Sequence, residues 1–310
     1  MLYRITEAAG IDEMTGRGHE IISLLPDLRG RTIHTPGRTP SMMPGDHHTL
    51  KSALLERCRS MDIPLVGVAD VRRWEDPPFQ PWMHTDFFPH AIFSEARSVV
   101  VIGLPVHLPA IETTPSIWYR ETYRTLNTLL DQYTYRIAEF LNAEGHPSVF
   151  VPRDGYTGID VLLENPVAFF SHRHAAYLAG LGTFGVNNML LTPDFGPRVR
   201  FGSVLTAAEL PPDPVMEGNL CTRCMACVRM CPARALGGED YPAGLTDKHA
   251  CAENSAALER RRLAPCGICA KVCPIGRDRD LYSRRNIGVY ADPPENLRRA
   301  WGHVRSYGTK

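Results

Sequence analysis

The sequence predicts an α+β domain followed by a cysteine-rich module. Three observations predict it. Apolar segments alternate between helical and strand periods over residues 47–210, a Pro211-Pro212-Asp213-Pro214 step then interrupts the chain, and eight of the nine cysteines fall between Cys221 and Cys273. With 310 residues, 44% apolar and 22% charged, the chain is long enough for one large or two ordinary domains, and its composition excludes the disordered and fibrous classes. The longest apolar run, Ser98 to Val106, is too short to span a bilayer. Arg4 and Glu7 are followed by no apolar stretch, so no secretory signal is read and a soluble, cytoplasmic protein without membrane contact is expected.

Residues 1–46 carry Pro26, Gly30, Pro36, Gly37, Pro40, Pro44 and Gly45 without any persistent period, and read as a flexible extension. A helix follows from Thr49, with Leu50, Ala53, Leu54, Arg57 and Cys58 at helical spacing, and stops before Pro64. Cys58 reads as a small buried residue. Leu65–Ala69 is a short strand, and Trp74–Pro89 reads as a loop. Ser98–Val106 is a β-branched run expected of a strand buried on both faces. Tyr119, Tyr123, Leu126, Leu130, Tyr133, Ile137 and Phe140 then form one helical stripe, with Pro115 suited to the first turn and Gly145 to the stop. Ser148–Val151 reads as a strand, Phe170–Ala179 as a helix capped by Ser171, and Val199–Leu205 as a last strand. The domains expected are 47–210 and 215–280, with a tail over 281–310.

Two runs carry the chemistry. One is Cys221-x2-Cys224-x2-Cys227-x3-Cys231-Pro232; the other is Cys266-x2-Cys269-x3-Cys273-Pro274, preceded by Cys251. Without an export signal, clustered thiols point to metal rather than disulfides. The first run has the ferredoxin spacing for a [4Fe–4S] cluster, in which three cysteines hold one cluster and the fourth reaches its neighbour. That rule assigns Cys221, Cys224, Cys227 and Cys273 to one cluster and Cys231, Cys251, Cys266 and Cys269 to a second, with 252–265 looped out. The rival is structural zinc, but zinc ribbons use separated Cys-x2-Cys pairs.

Formal charge is uneven. Residues 221–310 hold 16 Lys and Arg against 9 Asp and Glu, and residues 1–220 hold 18 against 25. A basic tail fits nucleic acid, yet no aromatic-interleaved basic stretch accompanies it. Two cubanes of about −2 each give a more economical reason for the excess, with Arg223, Arg229, Arg234 and Lys271 beside the motifs.

Gly180-x-Gly182-x-x-Gly185 fits a dinucleotide fingerprint, but the glycines follow a helix instead of opening one, and Gly180 or Gly182 reads as its C-cap. The surrounding run, Ala175-Ala-Tyr-Leu-Ala179-Gly180-Leu-Gly182, then Asn187-Asn188-Met-Leu-Leu-Thr-Pro193-Asp-Phe-Gly196-Pro-Arg198, resembles the central segment of epoxyqueuosine reductases and reductive dehalogenases. Leu65–Ala69, Ala96–Pro105 and the cysteine layout with its lone Cys251 are similar too, so the resemblance covers about residues 48–280. It implies a nitroreductase-like domain joined to a two-[4Fe–4S] ferredoxin-like module. It also implies cobalamin, a base-off corrinoid in the first domain, fed by the clusters one electron at a time.

Three features depart from that pattern. The family's Asp proton donor falls on Pro166, flanked by Asn165 and Val167; few residues follow the clusters; and Arg72-Arg73 is internal, so no twin-arginine leader is read. The replacement donors considered are Tyr156, in the Gly-flanked loop Asp154–Gly158, and His172 and His174, whose alternative is a capping or hydrogen-bonded role. Gly180, Gly182, Gly185, Asn187 and Asn188 are candidate corrinoid contacts, the asparagines alternatively capping a turn. Two functional readings remain: a corrinoid-dependent iron–sulfur reductase of a small molecule or modified nucleoside, and an electron-transfer protein without corrinoid that serves a partner redox enzyme. Either draws on a low-potential donor such as ferredoxin or flavodoxin.

Overall fold

Ser98–Pro105 and Val199–Thr206 are apolar at nearly every position, and they become the inner strands of a sheet because only a strand covered on both faces dispenses with polar alternation. The computed structural model describes residues 47–75, 83–154 and 158–306. Strands β1 (Leu65–Asp70), β2 (Ser98–Pro105), β3 (Ser148–Val151) and β6 (Val199–Thr206) form one antiparallel sheet in the order β1-β2-β6-β3. Its register pairs Val101 with Gly67 and with Ser203. Strands β4 (Thr183–Phe184) and β5 (Leu190–Leu191) pair separately.

The period of two sorts β2 onto two cores. Val100 and Ile102 join Val204 against helices α1 (His47–Ser60) and α4 (Ile117–Ala143), through Leu54, Leu130, Ile137 and Leu141. Val99 and Val101 join Phe201 and Leu205 on the other face, under Trp74, Phe170 and helix α6 (His172–Leu178). Short helices α2 (Pro89–Ile92), α3 (Leu108–Ile111) and α5 (Ile159–Glu164) fill the connections. The stretch read as a loop from Trp74 is partly turned into 3-10 helix, Val71–Glu75 and Thr85–Phe87, because Trp74 is drawn into the core.

Helix ends follow side-chain chemistry. The Ser116 hydroxyl accepts the Tyr119 N–H at 3.1 Å and caps α4, so Pro115 lies ahead of the cap rather than in the first turn. Gly145, with φ +87°, terminates that helix as expected. After α6, Gly180 turns left-handed (φ +73°), and Leu181 N–H bonds Ala176 O at 2.9 Å, closing a C-terminal cap.

The cysteine module contains α7 (Ala226–Arg229), α8 (Lys248–Glu259), α9 (Ile268–Lys271), α10 (Asp278–Leu281) and α11 (Glu295–Ser306). Two expectations are corrected. The segment 252–265 is helical as far as Glu259, since Asp247 caps Ala250 N at 3.0 Å and four alanines favour the helix. The tail over 281–310 carries α11, which buries Trp301 and sends Arg305 to the Thr113 carbonyl at 2.9 Å. The extension 1–46 and Tyr156 lie outside the described residues. Among the described residues no helix is long and apolar enough to cross a membrane.

Candidate functional site

The cysteine module repeats one local device. Cys224 is followed by Met225 in the left-handed region (φ +60°), which starts α7 with Cys227 inside it and Cys231-Pro232 beyond. Cys266 is followed by Gly267 (φ +68°), which starts α9 with Cys269 inside it and Cys273-Pro274 beyond. The left-handed residue swings the second thiol back toward the first, and proline ends each unit. In the second unit glycine is required for space as well. A Cβ on Gly267 would meet the Tyr119 ring at 2.7–2.8 Å, so Tyr119 of α4 lies flat on this cysteine loop. The Thr114 hydroxyl donates to the Cys266 carbonyl beside it.

Cys221, Cys224, Cys227 and Cys273 line one cavity, whose walls include no carboxylate and no imidazole. Cys231, Cys251, Cys266 and Cys269 lie within electrostatic reach of one another. All nine cysteines are free thiols. Burial pushes Cys269 up to about 12 and Cys273 up to about 11, so both thiols are protonated near neutral pH. Among the described residues no trio of His, Cys, Asp or Glu closes on a single-ion site. An all-thiol cavity suits a soft iron–sulfur centre, and on donor chemistry the first set fits a cubane. Cys58 stays apart, on the buried face of α1, and burial pushes it up to about 12.

Cations stand behind these thiols. Arg198 is wholly buried and donates to the Cys273 carbonyl (3.2 Å), the Ile275 carbonyl (2.8 Å) and both Asp278 oxygens (3.0 and 2.6 Å). Arg279, 1% exposed, donates to the same Cys273 carbonyl at 2.8 Å and to Lys271 O at 2.7 Å. The Lys271 ammonium lies 5.3 Å from the Tyr290 ring centre and 5.0 Å from that of Trp301. Burial lowers its pKa to about 7.

The candidate histidines lie on α6. His172 is held between the Ser203 hydroxyl at 2.9 Å and the Pro152 carbonyl at 3.1 Å, and burial lowers it to about 4. His174 lies between the Ser171 hydroxyl at 2.6 Å and the Tyr241 hydroxyl at 2.5 Å, and burial lowers it to about 3. Both rings are therefore neutral near pH 7. The five candidate corrinoid contacts have protein partners. A Cβ on Gly180 would meet the Pro214 carbonyl, one on Gly182 the Leu191 carbonyl, and one on Gly185 the Asn187 amide oxygen and the Leu191 side chain. Asn187 bridges Cys269 O (3.4 Å) and Met189 N (3.1 Å), while Asn188 holds Gly244 O at 2.9 Å and the Thr246 hydroxyl at 2.9 Å.

Arg173 of α6 is exposed, and its guanidinium donates to the Asn188 carbonyl at 2.5 Å; desolvation holds its pKa below the ordinary arginine value. Tyr241, Arg200, Cys269 and Tyr123 lie within its electrostatic reach. Arg200 stacks over Tyr123 at 4.3 Å and is braced by Asp154 and Asn127, both at 3.0 Å. Tyr241 stacks on Phe184 at 4.2 Å. Tyr119 and Tyr123 were legible as the apolar stripe of α4, but only the fold sets Tyr119 against Gly267 and Tyr123 under Arg200.

No family model matches the chain. A tetrachloroethene reductive dehalogenase of Desulfitobacterium hafniense is 29% identical over 225 residues, which is 64% of this chain and 38% of that protein. An epoxyqueuosine reductase of Pseudomonas aeruginosa is 25% identical over 272 residues, covering 76% of this chain and 72% of the reductase. Among solved structures, a catabolic reductive dehalogenase in complex with 3-bromo-4-hydroxybenzoic acid matches with a TM-score of 0.58 at 19% identity, over 87% of this chain and 37% of that one. An epoxyqueuosine reductase with a modified tRNA stem loop matches with a TM-score of 0.50 at 20% identity, over 74% and 66%. A third neighbour, at 0.58 and 19% over 87% of this chain and 37% of that one, is described through B12-dependent dehalogenation. The chain thus spans little more than a third of the dehalogenases it matches.

Proposed function

We propose, from its membership of the family that unites epoxyqueuosine reductases with reductive dehalogenases, that this chain is an iron–sulfur reductase. Cys221, Cys224, Cys227 and Cys273 would hold one [4Fe–4S] cluster, and Cys231, Cys251, Cys266 and Cys269 the other. When bound, such centres supply one-electron transfer at low potential. One observation carries the reading: Cys273, from the far end of the module, joins the first three cysteines at one all-thiol cavity.

The chain's own residues have definable parts. Arg198 and Arg279 anchor the Cys273 corner, and Tyr119 seats the Cys266–Cys269 loop. The electron acceptor belongs near the second cysteine set, with the Arg200–Tyr123 stack as a candidate contact. The His174–Tyr241 pair can hold a proton at Nε2 or at the phenol oxygen on that side, and Tyr156 remains a candidate donor. A small molecule or a modified nucleoside is the substrate class, and a ferredoxin or flavodoxin the electron source.

The test is anoxic isolation with iron, sulfide, cobalt and zinc analysis. About eight iron atoms are expected, and Cys273→Ser or Cys251→Ser should each remove about four. A colourless or zinc-only protein refutes the reading. The alternative, electron transfer to a partner enzyme without a corrinoid, is favoured by one observation: Pro166 stands where the family's acid falls. Eight irons with no cobalt after reconstitution would select it.

A further inference from the structure

Helix α11 has two faces with different surroundings. Trp301 is buried among Tyr290 and Cys227 of the cysteine module, and Arg305 donates to the Thr113 and Glu112 carbonyls at 2.9 and 3.2 Å, which pins the helix to the segment after α3. Asn296, Arg299, Ala300, His303 and Val304 recur at steps of three and one on another face, and they line an open cleft of about 800 Å³. Its other walls include Pro109, Trp118 of α4, Tyr282 and Arg284.

Two of these side chains are uncommitted. Trp118 is 53% exposed and stacks on no other ring among the described residues, so an indole face is left to water at the wall of a cavity. Arg299 has no carboxylate within ion-pair distance among the described residues. Its basic neighbours are neutralised: Arg298 by Asp292 at 3.0 Å and Glu295 at 2.9 Å, Arg284 by Glu112 at 2.9 Å, and Arg285 by Asp280. Glu112, the one acidic residue among those lining the cleft, is spent on Arg284 and on the Tyr290 hydroxyl, both at 2.9 Å. The cleft therefore offers one open ring face and one uncompensated guanidinium, with the His303 imidazole one turn further along the same helix face.

That pair of features suits a ligand with one planar ring system and one oxyanion. Cavities that hold ligands of drug size measure about 300–1,000 Å³, so a single benzoate-sized ring would leave most of this one wet, whereas a base, a sugar and a phosphate can reach from α4 to α11. A nucleic-acid strand needs a row of available cations for successive phosphates, and here Arg285 and Arg298 are already taken. We propose that the cleft between α4 and α11 binds a mononucleotide, with the base stacked on Trp118 and the phosphate held by Arg299 beside His303. The site lies apart from both cysteine sets and goes beyond the reductase reading.

The experiment is calorimetric titration of the full, cluster-loaded chain under anoxia with AMP, adenosine, inorganic phosphate and benzoate. AMP should bind, and adenosine and phosphate should each bind at least about 10-fold more weakly, because each keeps only one of the two contacts. Arg299→Gln should weaken AMP about 10-fold and leave adenosine unchanged, as a lost charged hydrogen bond predicts. Trp118→Ala should weaken AMP and adenosine alike by about 10-fold, and Trp118→Phe, which keeps a ring and guards against misfolding, should stay within about 3-fold of the parent. No AMP binding by the parent, AMP affinity unchanged in both Arg299→Gln and Trp118→Ala, or benzoate bound as tightly as AMP overturns the site. A single strand of about ten nucleotides that binds more than about 10-fold tighter than AMP also overturns it, in favour of a strand-tracking surface. Iron content reads the reductase reading separately: about eight irons in a chain that ignores AMP sinks this site alone.

Discussion

Arg198→Leu is the substitution with the largest expected cost. The guanidinium is 0% exposed and its partner Asp278 6%, so neither charge has water as an alternative. Leucine removes two hydrogen bonds to Asp278 and those to the Cys273 and Ile275 carbonyls, leaving a buried carboxylate without its cation. Breaking one side of a buried pair costs about 3–5 kcal/mol. For a chain of this size, about 2–4 °C of Tm accompany each kcal/mol, so a fall of roughly 10 °C is expected. Anoxic thermal melting monitored by circular dichroism measures it, and Arg198→Met with Asp278→Leu should recover most of the loss, since the orphaned charge is gone. Iron content should drop selectively, because Arg198 anchors the carbonyl of Cys273. A melting shift below about 2 °C would refute the claim that this pair locks β6 to the cysteine module, as surface pairs are worth about 1 kcal/mol or less.

Other consequences follow from the same contacts. Gly267→Ala should destabilise by about 1–3 kcal/mol, combining left-handed strain with a clash on the Tyr119 ring, and urea unfolding together with loss of about four irons would register it. His172 and His174 are lowered to about 4 and about 3, against about 6.5 in the unfolded chain. Below pH 6.5 the unfolded state therefore binds more protons, so stability should be level above pH 7 and fall as pH drops toward 4; His172→Gln should reduce that slope by about one proton. Tyr241→Phe should leave iron content unchanged and release His174 Nε2, seen as a shift of the imidazole resonance in NMR.

The sheet and the long helix were legible because their patterns are local. Ser98–Val106 is apolar at consecutive positions and Tyr119–Phe140 at alternating steps of three and four, and each period dictates one geometry. The cysteine runs were legible for the same reason. The helix α8 was missed because its polar residues mask the period, leaving only Asp247 and the alanines as signals. Arg198 stood in plain view after Gly196-Pro197, yet its partner Asp278 is 80 residues away, and no local rule connects them. Arg173 had the opposite difficulty. A charged residue on a short helix reads as solvated, and only the fold shows its guanidinium donating to the Asn188 carbonyl at 2.5 Å. The histidines on either side were singled out for their unperturbed pKa, which burial then moved away from neutrality.

That division also reassigns the basic excess of the C-terminal part. Sequence proximity nominated Arg223, Arg229, Arg234 and Lys271 as counter-charges for the clusters. In the fold Arg223, Arg229 and Arg234 are exposed, and Arg223 pairs with Asp240. Arg223 nevertheless lines the first cysteine cavity, whereas the solvated Arg229 and Arg234 are screened at ordinary salt. Arg198 and Arg279 are enclosed, so their field reaches the cysteines through low dielectric, and both donate to the same Cys273 carbonyl. Burial, not count, decides which cations tune the centre. It follows that Arg279→Gln should lower the potential of the cluster on Cys273 while Arg229→Gln leaves it in place, a contrast that anoxic redox titration monitored by EPR reads directly. Equal responses from the two variants would mean that overall charge, rather than these enclosed contacts, sets the potential.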